Sequence, residues 1–211
     1  MRRSFRRIGL PLIFLTVAGF FVYHVTRDPV VVLNKGEQEP SVATTVSIGG
    51  PFRLVDSQGT VRTDREFRGK YLLVYFGYTF CPDICPLALS NISQALPLLG
   101  NDRDQVVPIF ITVDPERDTQ NVLRDYSSHF HPNIIMLTGT QQQLAPVMKA
   151  YHAYGVKAQD DKTTDYVMDH STLIYLMDRQ GQFLRFFPHT TPAQELADGI
   201  VKALIAEKQG R

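Results

Sequence analysis

Tryptophan is absent and cysteine nearly so, with two residues, Cys81 and Cys85, in a chain of 211. So few cysteines exclude a disulfide framework, which needs more of them at wider spacing. A bond between positions four apart would close almost no chain and add little loop-entropy stability. The pair is therefore chemical rather than structural. An excess of charge of one sign is also missing. Lys and Arg number 22 against 21 Asp and Glu, a net charge of +1, and no basic stripe runs along any segment, which argues against a nucleic-acid partner. There is no Gly-rich phosphate loop and no Ser-His-Asp order. Internal repeats and low-complexity tracts are lacking too. What remains is ordinary: 44% hydrophobic and 20% charged residues, close to the globular average, so wholesale disorder is excluded.

One long apolar run exists, at residues 8–25, interrupted by Pro11, Thr16 and His24. A helix needs about 18 to 20 apolar residues to cross a bilayer, and this run just reaches that length. Arg2, Arg3, Arg6 and Arg7 precede it and would hold the N-terminus in the cytoplasm. Residues 1–27 are read as a basic tip and single transmembrane anchor in the inner, cytoplasmic membrane. Everything after them would lie on the periplasmic or extracytoplasmic side. A cleaved signal peptide is the competing reading, but no small-x-small cleavage site follows the run. Arg2-Arg3-Ser4-Phe5 loosely resembles a twin-arginine export signal; positive-inside charge is the simpler explanation. Residues 28–46, with Pro29, Gly36 and Pro40 and no sustained period, read as a linker. Residues 47–211 are then about one domain, long enough to bury a core without covalent staples.

Within that domain the period of the apolar residues sets the elements. Residues 52–62 read as a hairpin around Asp56-Ser57-Gln58-Gly59. Residues 71–76 are a continuous β-prone run, as in a strand covered on both faces. A helix is expected over 87–99, a strand over 106–113, and a helix from Asp118 to about 130. A strand over 134–137 and a helix over 141–154 follow. A hairpin spans 172–187, and Thr191-Pro192 opens a last helix over 193–208. Hairpin, then β-α-β-α-β-α, then β-β-α implies an α/β, thioredoxin-like three-layer fold with a mostly parallel central sheet. Tyr75, Phe76, Phe110, Tyr175, Phe186 and Phe187 are expected in its core.

Cys81 and Cys85 fall between the first buried strand and the first helix, in Phe76-Gly77-Tyr78-Thr79-Phe80-Cys81-Pro82-Asp83-Ile84-Cys85-Pro86. A helix N-terminus offers free N–H groups and partial positive charge, which stabilise a thiolate. Pro82 and Pro86 suit a turn and an early helix position, and Asp83 could cap the helix. The spacing is C-x-x-x-C rather than C-x-x-C. Such a pair could close to a redox disulfide or open around a metal, and soft copper(I) prefers thiolates with imidazole to complete the set.

That string, together with Thr112-Val113-Asp114-Pro115-Glu116-Arg117-Asp118-Thr119 and Met168-Asp169-His170-Ser171-Thr172-Leu173-Ile174-Tyr175, resembles the signature of the Sco/SenC family. The three blocks come in the family's order and at similar separations, and the likeness runs from about residue 46 to the C-terminus. It implies a thioredoxin-like protein that binds copper, as Cu(I), Cu(II) or both. Cys81 and Cys85 would be thiolate ligands and His170 the imidazole ligand. The implied role is to help assemble the dinuclear copper centre of cytochrome c oxidase. The implied partners are the oxidase subunit carrying that centre and a second copper chaperone as donor. Phe80 departs from the pattern, standing where many members carry His. Relatives that exchange disulfides resemble one another in a proline in the loop before the penultimate strands, and residues 167–172 contain none, which tilts the reading toward metal.

Other residues read more plainly. Asp169, if extended backbone runs through it, points away from His170. Residues 114–118 read as structural, with Asp118 an N-cap. His129, His131, His152 and His189 read as surface or helix-end histidines, and His24 likewise as no ligand. Two functions stay open: a copper metallochaperone, and a thiol-disulfide oxidoreductase using the Cys81/Cys85 redox pair on cysteines of the oxidase copper site or other exported partners. A peroxide-reducing enzyme would need an activating Arg and Thr around the first cysteine, a pattern this block lacks.

Overall fold

A computed structural model of the chain describes residues 47–159 and 166–209. The expected anchor at 1–27, the linker at 28–46 and His24 lie outside the described residues. Among the described residues no helix is long and apolar enough to cross a membrane.

The continuous apolar run becomes strand β3 (Tyr71–Gly77), buried at every position, so both faces of its sheet are covered. Strand β4 (Val106–Thr112) runs parallel beside it, from Tyr71 opposite Val106 to Gly77 opposite Thr112. Beyond β4 lies β5 (Ile135–Thr138), also parallel. The N-terminal hairpin, β1 (Arg53–Asp56) and β2 (Val61–Thr63), closes that side, with β1 antiparallel to β5. On the other side β8 (Leu173–Met177) and β9 (Phe183–Pro188) add an antiparallel hairpin. The sheet order is β2-β1-β5-β4-β3-β8-β9. Four helices accompany these strands in the described residues: α1 (Ile84–Leu98), α2 (Gln120–Ser127), α3 (Gln141–Ala150) and α4 (Ala193–Gln209). Helix α1 packs against α4.

This is the expected thioredoxin-like α/β architecture, with one correction: the sheet is mostly antiparallel. Only β3–β4 and β4–β5 run parallel, and every other neighbouring pair is antiparallel. A parallel pair needs a crossover, which here α1 and α2 supply, whereas a tight hairpin can join only antiparallel strands. Both flanks of this sheet are hairpins.

Three further differences matter for the site. Residues 155–170, expected to hold no strand, contain β6 (Gly155–Gln159) and β7 (Tyr166–His170), paired as a separate two-stranded antiparallel sheet. Helix α2 starts at Gln120 rather than Asp118. Its N-cap is Thr119, whose Oγ1 accepts the Val122 amide at 3.4 Å, because Asp118 is turned inward and buried. Helix α3 ends at Ala150, and His152 follows it with φ of 52°, a left-handed residue that stops the helix short of Tyr154.

Of the six aromatics expected in the core, Tyr75, Phe76, Phe110, Tyr175 and Phe187 are buried, but Phe186 is 50% exposed. Consecutive strand residues face opposite sides, and β9 is an edge strand, so Phe187 points in and Phe186 out. Truncating the two should separate cleanly. Phe110 packs its ring 6.3 Å from Tyr75 and 6.2 Å from Tyr126. Phe110→Ala is expected to cost about 3–5 kcal/mol through loss of burial and a residual cavity. Phe186→Ser should stay within about 0.5 kcal/mol of the parent. Urea midpoints at unchanged slope measure both.

Candidate metal centre

Strand β3 ends at Gly77, and the chain turns through residues 78–83 before α1 begins at Ile84. The free amides of the first helical turn need acceptors. Pro86, third in the helix, has no amide to satisfy. The Asp83 side chain, the expected cap, makes no capping bond. A sulfur takes its place: the Cys85 amide donates to Cys81 Sγ at 3.4 Å. Cys81 thus sits at the positive end of α1. Cys85, the second residue of the helix, is fully buried, and its sulfur accepts a long hydrogen bond of 3.7 Å from the Tyr75 hydroxyl. Gly77 makes room for that sulfur, since a Cβ there would lie 2.8 Å from Cys85 Sγ and 2.8 Å from the Phe110 ring.

His170 is brought in by the hairpin the sequence reading missed. It is the last residue of β7. The alternation of that strand buries Met168 and His170 and exposes Val167 and Asp169, so Asp169 points away from the imidazole as expected. His170 Nε2 lies 3.5 Å from Cys85 Sγ, although 85 positions separate the two residues. On the other side of the ring, Nδ1 lies 2.8 Å from the Ser171 carbonyl oxygen. A carbonyl oxygen only accepts, so Nδ1 carries a proton, and the tautomer this selects directs an Nε2 lone pair at the sulfurs. The rings of Tyr78 and Tyr75 stand edge-on to the imidazole, at 5.4 and 6.4 Å, and fix its plane. One ligand atom each from Cys81, Cys85 and His170 fall within 4.8 Å of one another.

The two thiols share one proton. A hydrogen bond from the Cys85 thiol, and after it those from the Cys85 and Asp83 amides, hold the Cys81 thiol far below its usual pKa against the opposing effect of burial. The hydrogen bond to Cys81 and then burial push Cys85 strongly up. Cys81 is thus the resting thiolate and Cys85 the thiol. Two thiolates and a neutral imidazole are a soft donor set. It suits copper, and a second set of this kind does not occur among the described residues. The expected ligands Cys81, Cys85 and His170 are therefore brought together. Among the described histidines, 129, 131, 152 and 189 stay apart from them; His131, at a helix end, faces Arg103 at 3.4 Å.

The segment 112–118 builds the floor. Asp118, expected as an N-cap, instead accepts the Thr79 amide (3.1 Å), the Thr79 hydroxyl (2.6 Å) and the Thr112 hydroxyl (2.5 Å). It ties the cysteine turn to the end of β4. Burial raises its pKa, and the bonds from Thr112 and Thr79 oppose the rise. Arg117, whose block reads from sequence only as structural, and Tyr166, for which the sequence suggests no role, both border the site. The Arg117 guanidinium lies over the Tyr166 ring at 3.7 Å and the Phe80 ring at 4.8 Å. A cleft of about 380 Å³, lined among others by Tyr78, Cys81, Ile84, Val167 and His170, opens the centre to solvent.

Fold and centre together define a class: a thioredoxin-like domain whose dithiol turn is completed by a histidine into a soft-metal site. The family model described as SCO1/SenC matches residues 41–205, and the chain belongs to that family. The mitochondrial Protein SCO1 homolog 1 of Arabidopsis thaliana is 37% identical over 199 residues, covering 92% of this chain and 59% of its own length. The SCO2-like protein RP587 of Rickettsia prowazekii is 38% identical, covering 72% of this chain and 75% of its own length. The copper-bound structure of Bradyrhizobium japonicum ScoI is 44% identical. It covers 74% of this chain and 99% of that one, with a TM-score of 0.68.

The shared proton makes the two thiols chemically unlike. Because the Cys81 pKa is depressed, its thiolate persists as pH falls below the ordinary thiol range, while Cys85 stays protonated. Limiting iodoacetamide at about pH 6, where an unperturbed thiol is almost wholly protonated, should alkylate Cys81 and spare Cys85. Peptide mass mapping reads the outcome; equal labelling, or labelling of Cys85 first, contradicts the assignment.

Proposed function

We propose that this protein is a copper metallochaperone whose cargo ion is held by Cys81, Cys85 and His170. The observation that carries the reading is the meeting of two sulfurs and an imidazole nitrogen within 4.8 Å. Copper(I) in this set leaves one net negative charge, which the N-terminus of α1 offsets. Loading the ion displaces the proton of Cys85, so uptake is linked to proton release. Three ligands, two of them lining an open cleft, leave a side from which an acceptor's own ligands can enter. Transfer is then stepwise ligand exchange. The acceptor is the cytochrome c oxidase subunit that carries the dinuclear copper site, and another copper chaperone is the donor. The segment 1–27 tethers the domain to the inner membrane, with 28–46 as spacer and the domain outside the cytoplasm.

A second reading, thiol-disulfide oxidoreductase, is favoured by the unequal thiols. The Cys81 thiolate attacks one sulfur of a partner disulfide and releases the other as a thiolate. Cys85, once deprotonated, attacks the mixed disulfide. Two electrons pass to the partner, and a Cys81–Cys85 disulfide remains. Reduced partner cysteines are also what copper delivery requires, so the two activities are compatible on one centre.

Copper analysis of the purified full chain under reducing conditions tests the main reading. One copper per chain is expected. Loss of an outer-shell partner of a metal ligand typically costs about 10- to 100-fold in affinity. Loss of a ligand should cost at least as much, so His170→Ala is expected to bind roughly 100-fold more weakly in chelator competition. A His170→Ala chain that binds copper as the parent does would sink the chaperone reading and leave the dithiol chemistry.

A further inference from the structure

We infer that Arg117 is a positioning residue for the third ligand: it clamps the β6–β7 hairpin to the cysteine turn and so fixes where His170 stands. The inference rests on the copper reading proposed above and goes beyond it in naming what holds the imidazole in place.

Cys81 and Cys85 belong to a turn built into the central strand and its helix. His170 reaches the same sheet only along the chain, two residues before β8. Its hairpin forms its own two-stranded sheet, with no ladder to the seven-stranded one. The Ser171 amide to the Tyr154 carbonyl (3.1 Å) and the Tyr154 amide to the Ser171 hydroxyl (2.9 Å) join the hairpin's two ends to each other. At that end the chain itself joins the hairpin to the body, through residues 171–172 into β8. At the far end, where β7 begins, side-chain contacts must do so.

Arg117 supplies two of them and braces the carboxylate that makes a third. Its Nη1 donates to the Tyr166 carbonyl at 2.8 Å, at the first residue of β7. Its Nε donates to the Asp114 carboxylate, and that carboxylate accepts the Tyr166 hydroxyl at 2.9 Å through its other oxygen. Asp114 is buried, with its own amide anchored on the Thr112 hydroxyl. Guanidinium, carboxylate and Tyr166 therefore close a ring of bonds between the end of β4 and the start of β7. The faces of the guanidinium are used as well. It lies 3.7 Å from the Tyr166 ring centroid, 4.8 Å from Phe80 and 5.7 Å from Tyr78. Tyr78 and Phe80 precede Cys81 in the turn, and Tyr78 is the nearer of the two rings that stand edge-on to His170. One side chain thus touches the β4 loop, the cysteine turn and the ligand hairpin.

The remaining ties to the body are weaker. Lys157 pairs with Glu116 at 2.6 Å, but both side chains are largely exposed, and such pairs contribute little. The Met168 main chain meets the Tyr78 phenol. Gly155, opposite His170, lies so close to Val113 that a Cβ would come within 2.6 Å of it, which is contact without a bond. From Tyr166 to His170 the strand spans ~13 Å of extended backbone. Fixing its first residue fixes the line along which the last one lies. Arg117 Nη2 is buried without a partner, an unfavourable feature that the charge-assisted bonds and the stacking offset. Lysine offers a single charged point and no planar fork, so it cannot bond Asp114 and Tyr166 while stacking between rings.

The test uses Arg117→Ala and Arg117→Lys in the full chain, with two readouts. In metal-free protein, amide hydrogen exchange should rise about tenfold or more in 155–159 and 166–170, with β3 and β4 unchanged. In copper-loaded protein, affinity should fall about 10- to 100-fold. The copper(II)–thiolate absorption bands should move toward those of His170→Ala. Adding Arg117→Ala to His170→Ala should change neither band nor affinity further, since a residue that acts only through His170 has nothing left to position. Lysine should rescue little of either signal; if the alanine variant does not fold, the lysine variant carries the same comparison. Parental exchange at the hairpin overturns the inference. So does a loosened hairpin with parental copper spectrum and affinity, or an undiminished effect in the His170→Ala background. A parent that binds no copper defeats the chaperone reading instead, and the exchange arm still decides whether Arg117 holds the hairpin.

Discussion

Two buried sulfur atoms in contact with the same small volume cannot both carry a charge in the absence of a cation. Burial disfavours each thiolate, and each disfavours the other. The chain meets this constraint with one proton, held on Cys85, while Cys81 faces the N-terminus of α1 and its free amides. A soft cation removes the constraint at once, because it replaces the proton and attracts both sulfurs. Much of the surrounding structure follows from keeping that volume small and poised. Gly77 lacks a side chain so that the Cys85 sulfur can lie against β3. The Ser171 carbonyl captures the proton of Nδ1, so His170 offers a lone pair where the cation would stand rather than a competing positive charge.

The ligands differ in how firmly they are held, and the difference has a functional sense. The sulfurs stand between a strand buried at every position and a helix, in a turn that Asp118 locks through both the amide and the hydroxyl of Thr79. The imidazole stands at the base of a two-stranded arm that joins the body through residues 171–172 and a few side-chain bonds. Stability is not uniform across a fold, and elements with few bonds to the body open at lower free energy than its core. Cargo that must be surrendered needs one ligand to yield before the others. An arm carrying the single nitrogen ligand, beside a cleft open to solvent, is the element whose displacement disturbs least.

The order of elements, the doubly covered strand and the dithiol turn at the start of a helix were legible because each rests on local pattern. Apolar runs, prolines at permitted positions and a cysteine spacing can all be seen within a dozen residues. His170 was legible only through resemblance, since nothing in its own neighbourhood distinguishes a ligand from a strand-end histidine. The β6–β7 arm escaped because its signal is weak: Gly155 and Lys157 are poor strand formers, and charged Asp169 sits where the exposed face permits it. The parallel character of the sheet was overestimated because the crossover helices are conspicuous in sequence and the hairpins on both flanks are not. Phe186 was placed in the core because an aromatic pair at consecutive positions cannot reveal which member faces in. That depends on where the strand lies in the sheet.

The charged block 114–118 shows why residue type alone misleads about role. Read in sequence, residues 114–118 suggest a structural turn and, in Asp118, a helix cap. In the fold Asp114 and Asp118 are almost wholly buried, and each spends its oxygens on a different part of the centre: Asp118 on the cysteine turn, Asp114 on Arg117 and the ligand hairpin. Burying a carboxylate is unfavourable unless its acceptor sites are filled, and both are filled by groups that come from other segments. A loop of apolar residues could pack in the same space, but it would set neither distance nor direction. Hydrogen bonds to a fixed carboxylate do both. A site whose ligands come from two supports needs that geometric definition at the junction between them, and the junction is this block.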